Sequence, residues 1–148
     1  MKNGYKILSE GDLTHYKRII KTIGEIIMKS ASPYVFVDNC LEVIEYYQSL
    51  FGGEIKNIQK SNDGKCLHAE LYLGNSIIHF SDTFGKTLKG DNVRISLECE
   101  SEDEIRRVYD SLSKSGKITA PLQDTFWGAI HANIVDKFGI GWLLNYQK

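Results

Sequence analysis

His68 and Glu70 stand two residues apart in a stretch, Lys65 to Leu73, that reads as a strand. Side chains two apart on a strand leave from one face, so an imidazole and a carboxylate are neighbours there. A carboxylate in that position can tune the histidine as an acid or a base. The spacing recurs at His131 and Asn133, within Ile130-His131-Ala132-Asn133-Ile134. Two readings stay open for these four residues: they line a cup and bind a polar ligand, or they are polar groups of a surface or interface. In either case Leu67, Ala69 and Leu71 are left for the opposite, buried face. His79, in the apolar strand segment Ser76 to Ser81, reads as a core or cup-lining histidine and not as a lone ligand, and His15 as an exposed one. Tyr34 and Phe36 share a face of an earlier strand, and Phe126-Trp127-Gly128 precedes a later one. At both places large aromatics either wall a pocket or fill the core, with core packing the leading reading for Phe126 and Trp127. Arg94, on a further strand segment, suits either a ligand carboxylate or phosphonate or a structural salt bridge.

Several chemistries are excluded. Gly85-Lys86-Thr87 has the end of a phosphate loop, but Phe80 stands where its first glycine belongs. Gly139-Ile140-Gly141 lacks the remainder of a dinucleotide fingerprint. No G-x-S-x-G elbow occurs and no cysteine sits in a nucleophile motif, so catalytic residues stay unassigned and no cofactor is expected. With 18 basic against 19 acidic residues and no long block of either sign, nucleic acid is not an expected partner. Cys40, Cys66 and Cys99 are odd in number without C-x-x-C spacing, which argues against a disulfide framework and a structural zinc, and for a reducing compartment. No apolar run approaches the roughly 18 residues of a membrane span. The expectation is a soluble, cytoplasmic protein without membrane contact.

The elements that position these residues form one domain, as 148 residues allow. Residues 1–30 read as an amphipathic helical extension, with Tyr16, Ile19, Ile20, Ile23, Ile26 and Ile27 at helical spacing and Met28 as an alternative start. The domain, 31–148, divides into module one, 31–82, and module two, 91–148, joined by a linker. In module one Pro33 to Val37 is a strand, Asn39 and Glu42 form a capping box, and a helix runs to about Phe51 with Ile44, Tyr47 and Leu50 or Phe51 buried. Gly52-Gly53 ends it, and Asp63-Gly64 and Gly74-Asn75 turn three following strands. Module two repeats the order: Asn92 to Cys99 as strand, Ser101 and Glu104 as capping box, a helix to about Lys114, then strands. Tyr47-x-Ser49-Leu50 returns as Tyr109-x-Ser111-Leu112, Gly53-x-Ile55 as Gly116-x-Ile118, and Leu67-His68-Ala69 as Ile130-His131-Ala132, at offsets of 62, 63 and 63. The fold class is α+β: two β-α-β-β-β modules with mainly antiparallel sheets plus the N-terminal helix.

That duplicated order resembles the vicinal oxygen chelate superfamily of glyoxalases, bleomycin-resistance proteins and extradiol dioxygenases. Pro33-Tyr34-x-Phe36, Glu45-Tyr46-Tyr47, Phe51-Gly52-Gly53, His68-Ala69-Glu70-Leu71, Ser81-Asp82, Asp124-Thr125-Phe126-Trp127-Gly128 and Asp136-x-Phe138-Gly139-x-x-Trp142 are together similar to its PhnB-like branch, often labelled demethylubiquinone methyltransferase-like. Nothing in the chain resembles a methyltransferase's parallel nucleotide-binding sheet. In metal-dependent relatives, four ligands come from the first and fourth strands of each module. Registering the helices and the Asp136-x-x-Gly139 turn on the family puts Ser32, His79, Arg94 and Leu143 there. A leucine cannot bind a metal and an arginine repels one, so the expectation is that the protein has no metal site and binds no stoichiometric divalent metal. The resulting expectation is a small-molecule-binding protein, with His68, Glu70, His79, Trp127, His131, Asn133, Tyr34, Phe36 and Arg94 as candidate ligand-binding residues, and a homodimer, because the amphipathic N-terminal helix and two open sheets give apolar surface and strand edges to cover. An enzyme, metal-dependent or using His68 and Glu70 as acid and base, is the alternative, and a structural or interaction module the second.

Overall fold

The computed structural model describes Gly11, Thr14, residues 29–85 and residues 90–148. By internal contacts the chain divides into residues 1–31 and 32–148. Of the expected N-terminal helix, Gly11 and Thr14 are helical and exposed. The rest of that segment, Met28 included, lies outside the described residues, as do residues 86–89 of the linker. Among the described residues no helix is long and apolar enough to cross a membrane.

From Ser32 onward the expected order is present twice: β1 (Tyr34–Phe36), α1 (Cys40–Phe51), β2 (Glu54–Lys60), β3 (Cys66–Leu73) and β4 (Ser76–Ser81), then β5 (Ile95–Glu98), α2 (Glu102–Ser113), β6 (Lys117–Asp124), β7 (Ala129–Val135) and β8 (Gly141–Gln147). Each half is a four-stranded sheet, ordered β1-β4-β3-β2 and β5-β8-β7-β6. The first strand of each pairs parallel to the last, because a helix lies between it and the hairpins, and the other pairs are antiparallel. One irregularity is duplicated as well. Lys56 faces Glu70 while Gln59 faces His68, and Ala120 faces Asn133 while Gln123 faces His131. In both hairpins one extra residue bulges from the edge strand opposite the same pair of positions.

Three local expectations change. Asn39 does not cap α1 through its side chain: it sits at φ 57, in the left-handed region, from which its amide does not reach the first turn. Asp82 supplies the acceptor instead, taking the Cys40 N–H on Oδ1 at 3.0 Å and the Cys66 N–H on Oδ2 at 2.7 Å. The second box does form, with Glu104 N–H donating to Ser101 Oγ at 3.2 Å, though the Glu104 carboxylate receives the N–H of Glu100. Leu67 is 45% exposed, unlike the fully buried Ala69 and Leu71. The register steps from Gln59–His68 to Lys60–Cys66, so Leu67 is the extra residue of a bulge and turns away from the core. β5 begins at Ile95, three residues later than the sequence suggested, because Asp91 and Arg94 are tied together ahead of it.

The core is continuous across both halves. Tyr47 of α1 and Trp142 of β8 are fully buried with ring centroids 5.1 Å apart, and Phe51 lies 5.0 Å from Trp142. The buried Asp136 carboxylate takes the Tyr47 hydroxyl at 2.6 Å, the Trp142 indole N–H at 2.7 Å, and the backbone N–H groups of Phe138 and Ile140 at 2.9 and 3.0 Å. A buried charge this well supplied with donors is tolerated, and it locks one module to the other.

Candidate functional site on the first sheet

Alternation along β3 sends Ala69 and Leu71 toward the helix side of the sheet and leaves His68 and Glu70 on the other. The antiparallel register places Glu70 opposite His79 on β4, and the parallel register places His79 opposite Tyr34 on β1. Tyr34, His79, Glu70 and His68 therefore stand together across three adjacent strands. His68 Nε2 lies 3.0 Å from Glu70 Oε1, and His79 Nδ1 lies 3.6 Å from the same oxygen. The Tyr34 hydroxyl is 3.1 Å from His68 Nδ1. Glu70 Oε2, the outer oxygen, accepts from the Tyr72 hydroxyl at 2.7 Å and from Asn57 Nδ2 at 2.5 Å. Asn57 can reach it because it occupies the β2 bulge at φ 54. Hydrogen bonds from His68, then Tyr72 and Asn57, hold the Glu70 carboxyl down at about 2, so it is an anion at any ordinary pH. His79 Nδ1 is buried and has no hydrogen-bond partner among the described residues.

Aromatic rings frame this polar group. Tyr34 stacks on Phe36 at 4.9 Å and on His79 at 5.8 Å, and the rings of His68 and His79 are 5.4 Å apart. Tyr34 and Phe36 are exposed while His68, Glu70 and His79 are partly buried, which describes an open face and not a closed cavity.

The remaining candidates stand apart. On the second sheet the equivalent positions are His131, Asn133, Leu143 and Ser96, since Asn133 pairs with Leu143 and Leu143 with Ser96. Only one imidazole and no carboxylate remain there. His131 Nδ1 and Asn133 Oδ1 are buried without a partner among the described residues. Trp127, 6.2 Å from His131, joins this second group. Neither Phe126 nor Trp127 fills the core: they are 98% and 52% exposed. Thr125 and Ala129 close the hairpin beneath them, with Thr125 N–H donating to the Ala129 carbonyl at 2.8 Å, so both rings sit on a turn that projects from the sheet. Arg94 takes the structural role among its two readings. It pairs with both Asp91 carboxylate oxygens at 2.9 and 2.8 Å and donates to Thr119 Oγ1 at 2.7 Å. It also edges a groove of ≈ 550 Å³ lined by Pro33, Ile77, Val93 and Leu97, which contains none of His68, Glu70, Trp127 or His131.

Residues 23–144 match the family model of the Glyoxalase/Bleomycin resistance protein/Dioxygenase superfamily. Protein YjdN of Escherichia coli (strain K12) is 31% identical over 140 residues, covering 79% of this chain and 95% of that protein. Among solved structures, protein PA1353 from Pseudomonas aeruginosa is similar with a TM-score of 0.72 at 26% identity, over 81% of this chain and 98% of that one. A PhnB protein from Bacillus cereus has a TM-score of 0.71 at 23% identity, over 80% of this chain and 99% of that one.

Proposed function

Because the chain belongs to the Glyoxalase/Bleomycin resistance protein/Dioxygenase superfamily, we propose that it is a small-molecule-binding protein whose binding face is the open side of the first sheet. The observation that carries this reading is the frame of Tyr34 and Phe36 around His68, Glu70 and His79. Apolar walls with a few convergent polar groups are the usual make-up of a small-molecule site. The protein works without the metal site that its metal-dependent relatives build from both modules: Leu143 offers no donor atom, and Arg94 is a cation engaged by Asp91. Chelator-treated protein titrated with a panel of small phenols, aromatic acids and phosphonates tests the reading. At least one compound should move the ring resonances of His68 and His79, and Tyr34→Ala should abolish the shift. Compounds that move only His131 would overturn it.

A second reading, an enzyme using His68 as acid or base, is favoured by the 3.0 Å contact between His68 and the ionised Glu70, which would stabilise an imidazolium formed during proton transfer. A ligand recovered chemically unchanged after long incubation supports sequestration, and its conversion, lost in His68→Gln, supports the enzyme.

Association into a homodimer belongs to the same proposal. Tyr34, Phe36, Leu67, Phe126 and Trp127 expose apolar surface, and β2 and β6 are sheet edges. Sedimentation at micromolar concentration should give a dimer that Phe126→Ser with Trp127→Ser weakens, and a monomer under those conditions would remove this part.

A further inference from the structure

We propose that the first sheet binds one divalent transition-metal ion through His68 Nε2, Glu70 Oε1 and His79 Nδ1. This deepens the reading above and rests on the open face of that sheet being the binding face. The site differs in composition and place from one assembled between modules, since all three donors lie on the adjacent strands β3 and β4.

Each donor's surroundings point the same way. The three ligand atoms lie within 4.8 Å of one another, so small rotations bring all of them to a common ion. Glu70 Oε2 is satisfied by Tyr72 and Asn57, which leaves Oε1 turned toward the two imidazoles. His68 Nδ1 is engaged by Tyr34, which leaves Nε2 for the ion. Partners on the far atoms of ligands are the arrangement that orients a metal's first shell. His79 Nδ1 completes the argument, being buried with no hydrogen-bond partner among the described residues and 3.6 Å from Glu70 Oε1. Leaving a buried polar atom unpaired is unfavourable, and coordination would remove that penalty. The second sheet is an internal comparison: the same backbone positions carry His131, Asn133 and Leu143, and it gathers no comparable group of donors among the described residues.

Two imidazoles and one carboxylate suit zinc, cobalt, nickel, iron(II) or manganese, and not calcium or magnesium, which prefer oxygen ligands throughout. Three protein ligands leave at least one position open, and the partial exposure of His68 and His79 lets solvent or a small-molecule oxygen reach it. Coordination also fixes a tautomer. Without metal, His68 Nε2–H donates to Glu70 and Nδ1 accepts from Tyr34. With an ion on Nε2, the hydrogen moves to Nδ1 and donates to the Tyr34 oxygen. Tyr34 is thus a positioning residue for the metal.

Chelator-treated full-length protein titrated with cobalt(II) chloride and with zinc chloride near neutral pH decides the matter. One equivalent per chain is expected, with visible cobalt absorption that zinc displaces. His79→Leu, which copies the second sheet's Leu143, and Glu70→Gln should each weaken binding by about 100-fold while circular dichroism shows a folded chain. Tyr34→Phe should weaken it about 10-fold, and His131→Ala should leave it unchanged. Absence of saturable binding, or stoichiometric binding that His79→Leu and Glu70→Gln both retain, overturns the inference. If metal fails to bind while small molecules still move the His68 and His79 resonances in the chelator-treated protein, only this inference falls. If metal binds but no small molecule reaches that face, the wider reading fails instead.

Discussion

Asp136 shows what a single side chain does in this fold. It is buried, it accepts four hydrogen bonds, and one of its donors, Tyr47, belongs to the other module. Burial, and then the Asp136 charge, push the Tyr47 phenol far up, so it remains a donor across the working pH range. Asp136→Ala should cost about 3 kcal/mol in chemical denaturation, because four donors, two from side chains and two from the backbone, would lose their acceptor. Tyr47→Phe should cost only about 1 kcal/mol, since Trp142 and two backbone groups still serve the carboxylate. Glu70 gives a pH signature of its own. Its carboxyl is lowered from 4.5 to about 2 in the folded chain, so the stability it adds is complete above 4.5 and is lost as the pH falls toward 2. Thermal melts of the wild type and Glu70→Gln should therefore differ most above pH 4.5 and converge on acidification, and a difference independent of pH would contradict the hydrogen-bonded carboxylate. The pairing of His68 with Glu70 was legible because a strand's period is two. His79 was not joined to them because one sequence does not state which residues of β3 and β4 stand opposite each other.

At the scale of elements, the repeat in residues located both helices and most strands, while the contacts that end and join them came partly from distant residues. The box at Ser101 and Glu104 is local and was readable. The one at Asn39 failed because Asp82, an acceptor 42 positions beyond Cys40, reaches the N-terminus of α1. Asp82→Ala should then destabilise the protein by about 1–2 kcal/mol, through loss of the cap and of the bond to Cys66 N–H. Asn39 behaves oppositely to a cap. At φ 57 it is chosen for a left-handed backbone, so Asn39→Gly should be nearly neutral while Asn39→Ala costs about 1 kcal/mol. Equal losses from both substitutions, measured by urea denaturation, would mean that the side chain matters after all. Gly53 is a sharper constraint, and its sequence context did reveal it. It lies at φ 82, and a Cβ there would fall 2.1 Å from the Tyr72 carbonyl oxygen, which no other residue could accommodate. The bulges that expose Leu67 and place Asn57 against Glu70 had no such mark, since neither glycine nor proline occurs at either position.

At the scale of the whole molecule, duplication did not produce two independent units. Each half alone has roughly 50 to 60 residues and would bury too small a share of its surface to be stable. The halves instead share the seam where Trp142 packs on Tyr47 and Phe51, where Tyr47 bonds to Asp136, and where the Arg107 guanidinium of α2 donates to the Leu50 carbonyl at the end of α1, at 2.8 Å. Opening either module would strip the partner's aromatic face and leave the Asp136 charge short of a donor, so the two should unfold together. The sequence supplies its own reporter: of its two tryptophans, Trp142 is fully buried at the seam and Trp127 is half exposed on a turn. In a Trp127→Phe variant, fluorescence follows Trp142 alone, while far-ultraviolet circular dichroism follows the helices and sheets of both halves. The two signals should trace one urea transition with the same midpoint, and a fragment of residues 32–85 should remain unfolded. A Trp142 signal that changes well before the circular dichroism, or a folded fragment, would show that the modules are stable apart and that the seam only docks them.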